Sequence, residues 1–169
     1  MRFSLLIVVL LIMQLSSFSQ ITYLTLQDPK HPENEMLVGG ITRQVIENNS
    51  SCKWFLTGFK SYDPGTHAFK LSDPDADIHL VIFAGTWCED SQVILPGLYK
   101  WASAEGFPEN RISLFGVDRD KKTVGDLAGA FGITNVPTII VMKGGKEQGR
   151  VVEYGKTGRW EEELSAIFR

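Results

Sequence analysis

Cysteine is scarce in this chain, with two residues, Cys52 and Cys88, among 169. That excludes a small scaffold stapled by several disulfides, which needs many paired cysteines. Histidine is scarce as well: His31, His67 and His79 are the three present, at separations that match no metal-ligand spacing. A histidine–cysteine metal centre is thereby excluded, and no cofactor is implied. Positive charge is not in excess, since 17 basic residues face 20 acidic ones for a net charge of −3. Nucleic acid is accordingly not an expected partner, because phosphate neutralisation requires a basic surface. There is no internal repeat and no low-complexity segment, and beyond the N-terminus no long apolar run.

The composition that remains, 43% hydrophobic and 22% charged, is ordinary for a globular domain with a proper core. The N-terminus differs from it. Met1-Arg2, the apolar run Leu5 to Met13 and the small residues Ser16, Ser17 and Ser19 have the layout of a secretory signal peptide, with cleavage expected after Ser19. The apolar run is too short for a stable membrane span, so no lasting membrane insertion is expected after cleavage. Three regions follow: residues 1–19 as signal peptide, 20–77 as an N-terminal extension with the first elements of the fold, and 78–169 as the core domain. Export would place the protein in the periplasm or outside the cell, an oxidising setting in which thiols are paired or kept active for a purpose. Cys52 and Cys88 have three arrangements open to them: bridging each other, pairing between chains, or remaining separate.

The stretch from Val81 to Ser91 organises the rest. His79 to Phe83 is a β-branched and aromatic run suited to a buried strand, Gly85 and Thr86 interrupt it, and helical spacing begins at Glu89. Cys88 is therefore delivered to a helix start, where unpaired backbone N–H groups and the helix dipole favour the thiolate, the reactive form of cysteine. Glu89 and Asp90 suit a helix's first turn but oppose a thiolate beside them.

Trp87-Cys88-Glu89-Asp90-Ser91 resembles the Trp-Cys-x-x-Cys motif of the thioredoxin family, with serine in place of the second cysteine. The resemblance continues in register. Pro96 stands eight residues after Cys88, where the family carries a proline in its active-site helix. Val117-Asp118 closes the next strand, and Asn135-Val136-Pro137-Thr138 is similar to the family's loop with a cis-proline facing the active-site cysteine. Thr138 to Met142, the Gly144-Gly145 turn and Arg150 to Gly155 match its closing hairpin. The resemblance runs from Ile78 to the C-terminus and implies an α/β thioredoxin fold, a central mixed β-sheet with helices on both faces, preceded here by an N-terminal extension.

Two departures qualify the chemistry. Ser91 replaces the resolving thiol, and Ile82 stands where thioredoxins usually bury an acid that serves it. What the resemblance then implies is thiol–disulfide exchange on client proteins with disulfides or thiols through one nucleophile. Cys88 is the catalytic candidate, Ser91 its hydrogen-bond partner, and Trp87, Val136 and Pro137 the substrate-contact surface. A lone thiolate forms a mixed disulfide whose release needs an external thiol donor, another client cysteine, or Cys52 as resolving thiol. This describes an oxidoreductase or isomerase with a Cys-x-x-Ser motif. The alternative is a non-enzymatic module that holds a partner protein in the groove beside Pro137. A peroxide-reducing thiol is disfavoured, because Gly85 stands where a threonine three residues before the cysteine is expected.

Elsewhere the pattern is plainer. Ile21 to Leu26 alternates like a short strand, and Met36, Leu37, Ile41, Val45 and Ile46 predict an amphipathic helix over Glu35 to Asn48. Cys52 lies in the apolar run Cys52 to Leu56, which also suits a small buried hydrophobe. Tyr62 to Gly65 is a turn and 73–77 a polar loop. Ile112 to Val117 reads as a strand, Thr123 to Phe131 as a helix capped by Thr123, and Thr157 to Phe168 as the last helix. Asp118 to Lys122 reads as a solvated charged loop.

Overall fold

A computed structural model of the chain describes residues 23–64 and 77–168. The proposed signal peptide and its cleavage site, Ile21 and Thr22, Gly65, His67 and residues 73–76 of the polar loop lie outside the described residues.

The strands are β1 (Tyr23–Gln27), β2 (Glu35–Ile41), β3 (Ile78–Ala84), β4 (Ile112–Gly116), β5 (Thr138–Lys143) and β6 (Lys146–Val152). They form one sheet in the order β1-β2-β4-β3-β5-β6. β3 and β4 are parallel and every other pairing is antiparallel, so the sheet is mixed. The helices are α1 (Arg43–Asn48), α2 (Lys53–Ser61), α3 (Glu89–Ala104), α4 (Leu127–Ala130) and α5 (Trp160–Ile167).

Alternation along the central strands divides the core. Leu80, Ile82 and Ala84 of β3, with Ile139 and Val141 of β5, join Phe55, Leu98 and Leu164 of the helices in a large cluster. Phe83 and Ile140 point the other way and pack with Val117, Ala128, Ile133 and Val136. This is the period of two expected of a sheet covered on both faces. α2 approaches α3 closely, because a side chain on Gly58 would meet the Pro96 ring at 2.9 Å and one on Gly97 would meet the Tyr62 ring at 2.9 Å.

Two expectations are corrected. Residues 35–48 are not one helix: Glu35–Ile41 is a strand and only Arg43–Asn48 is helical. Met36 to Ile41 are all buried, and a strand buried on both faces does not alternate in sequence. Its apolar residues therefore imitate helical spacing. Thr42, not a residue near 35, is the N-cap, accepting from the Val45 N–H at 3.3 Å. The helix expected over 123–131 is also shorter, because Gly125 (φ 72°) and Asp126 (φ 54°) adopt left-handed backbone that breaks it. The Thr123 hydroxyl donates to the Gly116 carbonyl instead of capping a helix. Gly144 and Gly145 do form the expected turn, both with positive φ.

Candidate active site

β3 ends at Ala84, and the chain turns through Gly85 and Thr86 before α3 begins at Glu89. Gly85 is needed there, since a Cβ would sit 2.6 Å from the Trp87 indole folded back against it. Each residue of this turn is anchored. The Cys88 N–H donates to the Gly85 carbonyl at 2.9 Å, and the Gln92 side chain donates to the Thr86 carbonyl at 2.9 Å. Thr86 Oγ1 accepts from the Leu37 N–H at 3.1 Å, which ties β2 to the turn. Trp87 Nε1 donates to the Val117 carbonyl at 2.9 Å.

Cys88 occupies the N-cap position of α3, extended at φ −91° and ψ 124°. Its thiol is half-buried and donates to the Val136 carbonyl at 3.2 Å. The Val136–Pro137 peptide bond is cis. Cys88, Trp87, Val136 and Pro137 thus lie together, the thiol held between a helix start and a backbone carbonyl from 48 residues later. Val136 and Pro137 are themselves buried, so only the exposed edge of this loop is open to a client.

Ser91 is placed one helical turn on, but it does not hydrogen-bond Cys88. It is fully buried, and its Oγ accepts from the Gly85 N–H at 3.3 Å. The expected serine–thiolate partnership is corrected accordingly: Ser91 closes the turn beneath the thiol.

Cys52 is not joined to Cys88, and both thiols are free. Cys52 is 1% exposed in the larger cluster, whereas Cys88 packs against the smaller one. Burial pushes the Cys52 thiol up to about 11, aided by the Glu35 carboxylate. A thiol so protonated and covered is a poor nucleophile, which disfavours the resolving role and fits the small buried hydrophobe.

Sequence reading missed three further residues, Arg119, its partner Asp28, and Tyr154. Arg119 is not part of a solvated loop. Its Nε and Nη2 donate to the two carboxylate oxygens of Asp28, 91 positions earlier, at 2.6 and 2.7 Å, and its guanidinium lies 4.7 Å from the Trp87 ring centroid. Asp28 is 2% exposed, and Arg119 holds its carboxyl down to about 2. Tyr154, after β6, has its phenol pushed up, first by burial and then by Asp90 and Cys88. A lone charge in a loop carries no signal of such a partner.

His31 pairs with Glu33 at 3.6 Å and His79 with Asp77 at 3.3 Å, both exposed. Among the described residues no cluster of histidine, cysteine or acidic side chains is suited to a metal ion, and no helix is long and apolar enough to cross a membrane.

Comparison with known proteins bears on the family and the fold. The family model described as Thioredoxin matches residues 62–166. The thioredoxin of Alicyclobacillus acidocaldarius is 27% identical over 90 residues, covering 53% of this chain and 81% of that protein. The crystal structure of a protein of unknown function from Pseudomonas aeruginosa superposes with a TM-score of 0.53 at 16% identity, covering 76% of this chain and 91% of that one, and shows the same fold. A mutant thioredoxin from Halobacterium salinarum is 25% identical over 56% of this chain and 74% of its own, with a TM-score of 0.39.

Proposed function

This chain belongs to the thioredoxin family, and from that premise we propose that it is an exported protein acting in thiol–disulfide exchange on other proteins through Cys88. The observation that carries the reading is the half-buried Cys88 thiol at the start of α3, aimed at the Val136 carbonyl. The helix start favours the thiolate, and the cis-proline loop offers a client backbone atoms beside it.

The Cys88 thiolate attacks one sulfur of a client disulfide. A bond forms between Cys88 Sγ and that sulfur, the client's own S–S bond breaks, and the second client sulfur leaves as thiolate and takes a proton from solvent. Conversion also removes the Sγ–H that Val136 accepted, so its carbonyl becomes available to a client N–H. Ser91 has no thiol with which to complete the exchange. The mixed disulfide is released when another client cysteine attacks the client sulfur and expels Cys88 as thiolate, which isomerises the client, or when an external thiol attacks Cys88 Sγ and frees the reduced client, after which a second external thiol displaces the first from Cys88 as the donor's own disulfide. The oxidising setting implied by the N-terminal signal sequence suits such chemistry.

A second reading, a binding module that holds a partner beside Pro137, is favoured by one observation. The position of the second thiol is filled by a buried serine committed to Gly85. The two separate in one experiment: mature protein is mixed with a scrambled, disulfide-bonded test protein in a glutathione buffer, and recovery of the test protein's native form is followed for wild type and Cys88→Ala. Exchange predicts acceleration that Cys88→Ala abolishes. Equal recovery with both proteins, or a Cys88 that no alkylating reagent reaches, would leave the binding reading.

A further inference from the structure

Asp28 and Arg119 form a contact that the exchange steps above do not use. Asp28 follows β1 in the N-terminal extension, and Arg119 follows β4. The guanidinium meets the carboxylate as a planar fork on both oxygens, the most directional form of this ion pair. The carboxylate is fixed further by the Lys30 N–H at 3.0 Å. One face of the Trp87 ring lies under the guanidinium, while its N–H is tied to Val117. The side chain preceding Cys88 is thus clamped at both face and edge.

As a fastening for the extension alone, this arrangement is a poor choice. Covering an ion pair costs desolvation that a well-packed apolar pair avoids. What an apolar pair cannot supply is positive charge beside Cys88. The thiolate faces Glu89 and Asp90 from its own helix and Tyr154 from the loop after β6. Arg119, from the loop after β4, is set near it by its stack on the Trp87 ring, 4.7 Å from the centroid and one residue before Cys88, and its charge and the thiolate attract each other. A cation held against the residue before Cys88 attracts a thiolate there and opposes the repulsion from Glu89 and Asp90.

We propose that Arg119, held by Asp28 of the N-terminal extension, is a positioning residue for the exchange reaction. It clamps Trp87 and sets a positive charge beside Cys88 that offsets Glu89 and Asp90. The inference rests on the reading of Cys88 as the exchange nucleophile. It gives the extension a part in the chemistry: the family's core domain carries Arg119, and the extension decides where its charge sits.

The test is the pH profile of Cys88 alkylation by iodoacetamide in the mature protein. Arg119→Gln is expected to move the profile to higher pH and slow the reaction at pH 7 about three- to tenfold, the size of one nearby charge at a surface-like dielectric. The plateau at high pH, where all the thiol is ionised, should stay within about twofold. Arg119→Lys keeps the charge without the fork and should recover part of the shift. A merely structural role would change accessibility, and so the plateau, without moving the profile. Because Arg119→Gln strands a covered carboxylate, Asp28→Asn/Arg119→Gln is measured alongside it, a neutral pair that retains hydrogen bonding. A folded double variant whose profile superposes on wild type overturns the proposal. A wild-type Cys88 that does not alkylate defeats the exchange reading itself; a reactive wild type with unmoved variants defeats only this inference.

Discussion

Cys88 Sγ donates its proton to the carbonyl oxygen of Val136 at 3.2 Å, and not to Ser91. The serine looks inward and accepts from Gly85 at 3.3 Å. The thiol therefore has its recognition partner in the cis-proline loop, while the position that would resolve a mixed disulfide is occupied by a group that only holds the turn closed. In the proposed exchange reaction, attack is retained and intramolecular release is missing.

Ser91→Cys should restore release. Ser91 is fully buried one turn from Cys88, so an introduced thiol would lie on the side of Cys88 away from the client. The lifetime of a mixed disulfide between the protein and a test peptide, followed by mass spectrometry without added thiol, is expected to fall at least about tenfold, since intramolecular attack proceeds at high effective concentration. An unchanged lifetime in a folded variant would mean that α3 does not present this position to Cys88.

The site was legible where it is local and obscure where it is not. A strand that stops at Gly85, an aromatic residue, a cysteine and a helical pattern are contiguous, so short-range rules locate Cys88 at a helix start. The Val136-Pro137 loop was found through resemblance. β2 was misread because a strand buried on both faces loses its alternation, and its apolar residues then imitate a helix. Asp28 and Arg119 were missed for a different reason. Their pairing depends on the β1–β2 hairpin lying beside β4, and no local pattern encodes a contact across 91 residues.

Gly116→Ala should be severely destabilising. Gly116 pairs with Gly39 between β2 and β4, and a Cβ there would overlap the Leu37 carbonyl, a backbone group that cannot rotate away. Forcing the strands apart is expected to cost about 3 kcal/mol or more, read from the shift in denaturant midpoint. The Leu37 N–H also holds Thr86, so the variant should expose the turn before Cys88 and raise its alkylation rate below the unfolding transition. A cost under about 1 kcal/mol would show that β2 is not seated as described.

Cys52 should behave as core. With 1% exposure and its thiol pushed up to about 11, it is expected to resist alkylation at pH 8 in the native protein and to react fully in denaturant. Folding raises this pKa above its ordinary value, so the neutral thiol's contribution is fully present below about pH 9 and declines as pH climbs toward 11. Cys52→Ala should cost about 1 kcal/mol through lost packing and leave mixed-disulfide release unchanged. Slower release in that variant would restore Cys52 as the resolving thiol.

Acid should unfasten the N-terminal hairpin before it unfolds the rest. Arg119 lowers Asp28 from 3.8 to about 2, so the unfolded chain binds this proton first as pH falls. The pair's contribution is present above pH 4 and is lost between about pH 4 and pH 2, a window fixed by those two values. Its size is on the order of 1 to 2 kcal/mol, allowing for solvent on the Arg119 side of the pair. Asp28→Asn removes the titrating group, so its stability should be lower than wild type at pH 6 and should fall less steeply through that window. Denaturant unfolding at pH 6, 4 and 3 measures both slopes. Equal slopes would mean that the carboxylate is not held by Arg119 in solution. Trp87 reports the same event locally: once Asp28 is protonated the guanidinium is no longer forked, the indole loses its clamp, and its fluorescence should change in wild type at a higher pH than global unfolding.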